Sequence, residues 1–228
     1  MIFTGATTNE VWPLVRDFHY AKKMPAGSAH CFAVRKEGGL FGDTGIPQAA
    51  VIYGPGANNK MPSDALELTR LVRHPDYVKK LSPFVAWSIR WLRANINSPF
   101  IFSYADPAHN HHGGIYQALG FIYVGESQAQ YSTFYNEKGE VVHKRTISAE
   151  LGTAARSAVF RRHPKWTLGE APAKFLYIKP LRQNLKPLLK RSSWQSLPFP
   201  KPNAARLLDA PVPTGVSQEH TLGAAPNA

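Results

Sequence analysis

One stretch in mid-chain constrains the fold more than any other. Leu66-Glu-Leu-Thr-Arg-Leu-Val72 alternates apolar and polar residues, the period of a half-buried strand. Pro83 to Asn95 repeats apolar residues at three- and four-residue spacing, with Ser82 and Pro83 fitting an N-cap and a first helical position. Phe100-Ile-Phe-Ser-Tyr104 is a short apolar run that ends at Asp106-Pro107. A strand, a loop running into a helix start, that helix and a second strand therefore follow one another. Any fold for this chain has to accommodate that order.

The flanking sequence reads as further strands with a few short helices. Strands are expected at 29–35, 48–53, 121–125 and 175–179, and a hairpin about Asn136-Glu-Lys-Gly139. Gly114 to Gly120 predicts a short helix closed by glycine, and Ser148 to Val159 another helix. Residues 11–18 read only as a short mixed segment, and 19–28 as a polar loop. The expected class is α+β, a mixed central sheet flanked by helices.

Charge divides the chain. Of its 27 Lys+Arg and 15 Asp+Glu, residues 141–201 hold thirteen basic and two acidic, so +11 of the net +12 lies there. The expectation is a catalytic core at 1–140, a basic extension at 141–201 that completes the fold and contacts a polyanion, and a disordered tail at 202–228. Lone Cys31 excludes a disulfide framework or a cysteine-based zinc cluster and suits a reducing cytoplasm. No run approaches the roughly 18 apolar residues of a membrane span, and the N-terminal residues lack the features of a secretory signal.

The order of elements, with Tyr116-Gln-Ala-Leu-Gly-Phe121 after the second strand, resembles the core of the Gcn5-related N-acetyltransferase (GNAT) superfamily. That resemblance implies a splayed pair of parallel strands, a helix start that holds the pyrophosphate of coenzyme A, and a tyrosine, here Tyr116, that protonates the departing thiolate. The phosphate loops of that superfamily carry glycines, whereas Tyr77-Val-Lys-Lys-Leu-Ser-Pro-Phe-Val-Ala86 has none. Lys79, Lys80 and the Ser82 hydroxyl are the candidate donor-binding groups in their place. Ser82 could equally serve only as a helix cap.

A closer resemblance rests on Phe18-His19-Tyr20-x-x-x-Met-Pro, Leu68-Thr-Arg-Leu-Val, Ser103-Tyr-Ala-Asp106-Pro, Gly114-x-Tyr116-x-Ala-x-Gly-Phe and the basic aromatic block. Together they are similar to the Mom DNA-modification proteins of Mu-like bacteriophages. The resemblance implies a GNAT-like enzyme in the cytoplasm of a host bacterium. Such an enzyme converts adenine in double-stranded DNA to N6-(carbamoylmethyl)adenine, which shields phage DNA from restriction. It also implies functional roles for His19, Tyr20, Ser82, Asp106 and Tyr116. The donor is acetyl-CoA or another acyl or glycyl donor, and iron enters through the family resemblance alone.

The residues themselves fit that chemistry. The exocyclic amine of adenine is a poor nucleophile, and His19 and Asp106 are the expected groups to activate it. Tyr20 and Tyr104 are candidates to stack on a base flipped from the duplex, although either could belong to the core. Arg161, Arg162, Lys165, Lys174, Lys179, Arg182, Lys186, Lys190 and Arg191 are the expected phosphate contacts. The interleaved Trp166, Phe175, Tyr177 and Trp194 are read as anchors to the body. His109, His111 and His112 do not define a metal site at this spacing, and none is assigned. Two other classes remain open: a conventional acetyl-CoA-dependent N-acetyltransferase, and a non-catalytic DNA-binding protein on the same scaffold.

Overall fold

A computed structural model describes residues 1–25, 27, 29–36, 47–56, 61–107, 111–127, 130–142, 144–171, 173–182, 184–191 and 194–201. The expected tail at 202–228 and His109 lie outside the described residues.

The N-terminal segment holds two elements that the sequence pattern did not reveal, β1 (Ile2–Ala6) and α1 (Thr8–Phe18). Thr7 and Glu10 form a reciprocal capping box that starts α1, and Val11, Leu14 and Val15 form its buried stripe. Pro13 inside the helix hides it from a propensity reading, since proline normally breaks a helix interior. The chain continues through β2 (His30–Arg35), β3 (Ala49–Pro55), β4 (Leu66–Arg73), α2 (Ser82–Asn95), β5 (Phe100–Ala105), α3 (Gly114–Ala118) and β6 (Ile122–Glu126). Next come β7 (Gln130–Tyr135), β8 (Val141–Val142), α4 (Lys144–Leu151), α5 (Arg156–Arg162), β9 (Thr167–Ala171), β10 (Phe175–Pro180) and α6 (Leu185–Arg191). The single helix expected over 148–159 is thus two, broken at Gly152, which adopts φ 71°.

Seven strands form the main sheet in the order β1-β2-β3-β4-β5-β10-β6. All neighbours pair antiparallel except β4 and β5, which are parallel, so the sheet is mixed. Alternation along the strands sends side chains to two faces. One face packs Phe32, Val51, Tyr53, Leu68, Ile101 and Tyr177 under α2 and α3. The other packs Cys31, Ala33 and Ile52 under α1, and Phe100, Phe102 and Ile178 under α6.

Two features bear on the basic region. β10 lies between β5 and β6, so residues 141–201 contribute an interior strand to the main sheet. A three-stranded sheet, β8-β7-β9, forms a lobe inserted between β6 and β10, with Phe134, Ile147 and Val159 as its own small core. The β7–β8 hairpin straddles residue 140, so the expected boundary there does not coincide with a structural one.

Candidate active site

The parallel ladder between β4 and β5 is short. Leu66 pairs with Ile101 and Glu67 with Phe102, and there the backbone pairing stops. The register between β3 and β4 shifts just beyond, between Ile52 and Tyr53, leaving Thr69 as the extra residue of a bulge. A bulge bends its strand, and this one turns β4 away from β5. The Thr69 hydroxyl donates to the Ile52 carbonyl at 3.1 Å across the bulge. At the apex of the wedge, Ser103 Oγ of β5 sits 2.8 Å from the Leu68 carbonyl of β4, a side-chain bridge where the β4–β5 backbone pairing has ended.

Ser103 Oγ is also 2.8 Å from the Tyr116 hydroxyl. A carbonyl only accepts, so the one serine proton goes to Leu68 and the phenol donates to the serine. α3 aims Tyr116 at that point, and Gly113 makes the approach possible. Its φ is 84°, and a Cβ there would lie 2.3 Å from the Tyr177 ring. Tyr116 packs on Phe121 and Tyr177 with ring centroids 5.3 Å away in each case. Its ring is only half-buried, but its hydroxyl end is desolvated, which pushes the pKa up to about 12; Ser103 pulls the other way, and Tyr20 and Glu67 add to the rise. The phenol therefore holds its proton at neutral pH, as a proton donor requires.

His19 and Tyr20 approach from the end of α1. His19 caps that helix and is 7% exposed, and its Nδ1 accepts from the Ala21 N–H at 3.0 Å. A neutral ring with Nδ1 so engaged carries its proton on Nε2. In that form His19 presents a hydrogen-bond donor at Nε2. Tyr20 lies 4.4 Å from the His19 ring and 6.0 Å from His111, and 50% of it is exposed at the rim. Tyr104, for which stacking and core were both left open, is partly buried and packs on Phe102 at 6.0 Å against the core.

Arg70 of β4 underlies this loop and was not singled out from the sequence. Its Nε donates to the Lys23 carbonyl at 3.1 Å and its Nη1 to the Thr69 carbonyl at 2.7 Å. Burial lowers the pKa of the guanidinium, while Tyr20 and Glu67 push it back up. No pattern marks it, because an arginine at an alternating strand position reads as a solvated face.

Asp106 follows β5 directly and is 8% exposed. Its Oδ2 lies 2.7 Å from Lys174 Nζ. Lys174 is thereby corrected from a phosphate contact to the partner of the candidate base. It is held in place by reciprocal bonds with Ser127 beyond β6. The Lys174 N–H donates to Ser127 Oγ at 2.9 Å, and the Ser127 N–H donates to the Lys174 carbonyl at 2.8 Å. The pairing follows from β10 lying beside β5, a long-range event with no local sequence signal.

The expected donor-binding residues sit elsewhere. Leu81, not Ser82, is the N-cap of α2; Ser82 is the first helical residue, and no side chain caps the helix. Lys79 and Lys80 are exposed and line a pocket of about 180 Å³ with Met1, Phe3, Tyr77 and Pro83. Two ammonium groups beside a helix start fit phosphate in charge, although the loop has no glycine to bring its backbone close. The residues described do not fit iron. No group of three His, Cys, Asp or Glu residues is assembled among them, and Asp106 is bonded to a lysine.

Of the expected phosphate contacts, Lys179 of β10 and Arg182 just after it donate to the backbone carbonyls of Leu119 and Ile96, at 2.7 and 2.9 Å; most of the others lie on two elements. Arg161 and Arg162 end α5 and Lys165 follows, all exposed on the inserted lobe, with Lys165 3.8 Å from Glu137. Lys186 and Lys190 are exposed on α6; the side chain of Arg191 lies outside the described residues. Trp166, Phe175, Tyr177 and Trp194 all pack into cores, as anchors do.

The Mom protein family model matches residues 2–201. The chain belongs to the Mom family. One member, the methylcarbamoylase mom of Escherichia phage Mu, is 25% identical over 138 residues, covering 60% of this chain and 56% of that protein. The chain thus matches little more than half the length of that relative. Solved structures of related shape include the ribosomal-protein-S18-alanine N-acetyltransferase of Escherichia coli, at 11% identity and TM-score 0.46 over 80% of this chain and 95% of that one. Another is the spermidine N-acetyltransferase of Vibrio cholerae in complex with CoA and spermine, at 9% identity and TM-score 0.44 over 79% and 95%. The mixed sheet and its splayed β4–β5 pair give this Mom protein the GNAT-like α+β architecture that its sequence led one to expect. Among the described residues, no helix is long and apolar enough to cross a membrane.

Proposed function

We propose that this Mom protein is a DNA-modifying transferase that installs a carbamoylmethyl group on the N6 amine of adenine and so protects phage DNA from restriction. The observation that carries the reading is the wedge between β4 and β5. Asp106 and Tyr116 flank it, and Tyr20 stands exposed at its rim. A flipped adenine stacks on Tyr20, and the His19 Nε2–H donates to an acceptor on the base edge. Asp106 accepts the proton that the amine releases, exchanging Lys174 for the substrate. Tyr116 delivers its proton to the leaving group.

The product joins nitrogen to a methylene carbon, so plain acyl transfer would give the wrong bond. The donor must present a carbamoylmethyl or glycyl unit at that carbon. If that unit is carried on the sulfur of coenzyme A, the bond from its methylene carbon to sulfur breaks as the nitrogen–carbon bond forms, and Lys79, Lys80 and the N–H groups at the start of α2 would hold the phosphates. The cations of the inserted lobe and of α6 supply duplex affinity.

Nucleoside mass spectrometry of plasmid DNA from a bacterium expressing the chain tests this reading. Modified adenine is expected with the wild type and none with Asp106→Ala. An unmodified adenine pool from well-expressed wild type, in a host where another Mom protein modifies the same plasmid, would overturn it. Appearance of N-acetylated protein or amine in its place would favour the acetyltransferase reading.

A further inference from the structure

A second concavity lies at the opposite end of β5 from Asp106. Lys179 pairs with Ile101, whereas Phe175 pairs with Ala105, next to Asp106. Lys174 and Lys179 are five positions apart, about 17 Å at the rise of a strand. The pocket has a volume of about 200 Å³ and is lined by Ala86, Ile89, Arg90, Arg93, Leu119 and Lys179. Arg90 and Arg93 stand one turn apart on α2, which carries no acidic residue from Ser82 to Asn95.

Three cations around one concavity repel one another. Arg16, by contrast, is paired with Asp17 at 2.6 Å, and Lys174 with Asp106 at 2.7 Å. Among the described residues, Arg90, Arg93 and Lys179 have no carboxylate partner. Lys179 Nζ is fixed by the Leu119 and Gly120 carbonyls, at 2.7 and 3.3 Å, which leaves it one further N–H to give. Burial first, and Arg93 second, lower the pKa of this ammonium, so an anion arriving here removes a penalty already present.

We propose that Arg90, Arg93 and Lys179 form a binding site for a phosphate group, carried either by the DNA backbone or by a phosphorylated small molecule. Two guanidinium forks and one ammonium suit phosphate oxygens in donor geometry and charge, and Ala86, Ile89 and Leu119 complete the lining. The site stands apart from the catalytic wedge and does not depend on the reaction assigned there.

The test compares wild type with Arg90→Gln/Arg93→Gln. Both arginine side chains are exposed, so the variant is expected to keep the wild-type circular dichroism spectrum. Melting is measured in inorganic phosphate and in chloride at equal ionic strength. The general salting effect is common to both proteins. Phosphate is expected to raise the melting temperature of the wild type by about 3 °C more than that of the variant. Duplex binding by fluorescence anisotropy across a salt series then identifies the source. If the phosphate belongs to DNA, the salt slope of the variant is shallower by about one. If the melting difference persists with coincident slopes, the source is a small phosphorylated molecule. Equal melting gains together with coincident slopes would overturn the proposal.

Discussion

Ser103 shows how much one hydroxyl can do at the apex of the wedge. It donates to the Leu68 carbonyl where the two strands diverge, and it orients the phenol of Tyr116. Ser103→Ala should therefore cost about 1–3 kcal/mol in urea denaturation, since a buried acceptor loses its donor. Modification should fall as well, because Tyr116 loses its orientation. Tyr116→Phe should preserve stability to within about 1 kcal/mol and abolish modification. At the end of β5, Lys174→Met leaves the Asp106 carboxylate without its ammonium. It should lower stability by about 1–3 kcal/mol, discounted for the partial exposure of the lysine, while Lys174→Arg should largely restore both stability and modification. The sequence pointed to Asp106 and Tyr116 through their own motifs. It left Lys174 among the phosphate contacts, because its partner lies 68 residues away in the chain.

Single elements owe their form to a few such interactions. α3 depends on Gly113, whose left-handed φ and close approach to Tyr177 admit no side chain. Gly113→Ala should destabilise the protein by about 2–4 kcal/mol, combining backbone strain with overpacking, as chemical denaturation would show. α1 begins in a capping box in which Glu10 accepts from the Thr7 N–H and hydroxyl. That bonding, with Arg35 adding to it, holds the Glu10 pKa below its usual 4.5. A depressed carboxylate contributes stability that is present above the unfolded pKa and lost as pH falls through the folded one. Melting temperatures of Glu10→Gln and wild type should therefore differ most above pH 4.5 and converge at lower pH. The strand-helix-strand order in mid-chain was legible because periodicity is local. α1 was not, because Pro13 interrupts its pattern, and the Thr69 bulge was not, because nothing in an alternating strand marks an extra residue.

Across the whole molecule, the basic region is woven into the fold. β10 sits inside the main sheet, so a chain ending before Phe175 should fail to fold, giving aggregation or a noncooperative melt. The cations of the inserted lobe and those of α6 lie on separate elements joined through the sheet. Replacing Arg161, Arg162 and Lys165 with Gln, or Lys186 and Lys190 with Gln, tests each group through the salt dependence of duplex binding. Where the replaced side chains neutralise DNA phosphates, the salt slope should become shallower by about one for each phosphate so neutralised. Where they do not, the slope should stay as it is in the wild type.

The sequence by itself determined the class of fold, the mid-chain order of elements, the residues flanking the wedge and the concentration of charge at 141–201, since these follow from local periodicity and residue chemistry. Tertiary structure decided what those residues touch. Strand order set β10 against β5, which gave Asp106 its lysine, and a bulge in β4 opened the wedge. Packing of α3 turned the Tyr116 hydroxyl toward Ser103, and the Ala21 N–H engaged Nδ1 of His19. Each of these depends on groups brought together from distant positions or on one particular backbone path, and no local pattern encodes either.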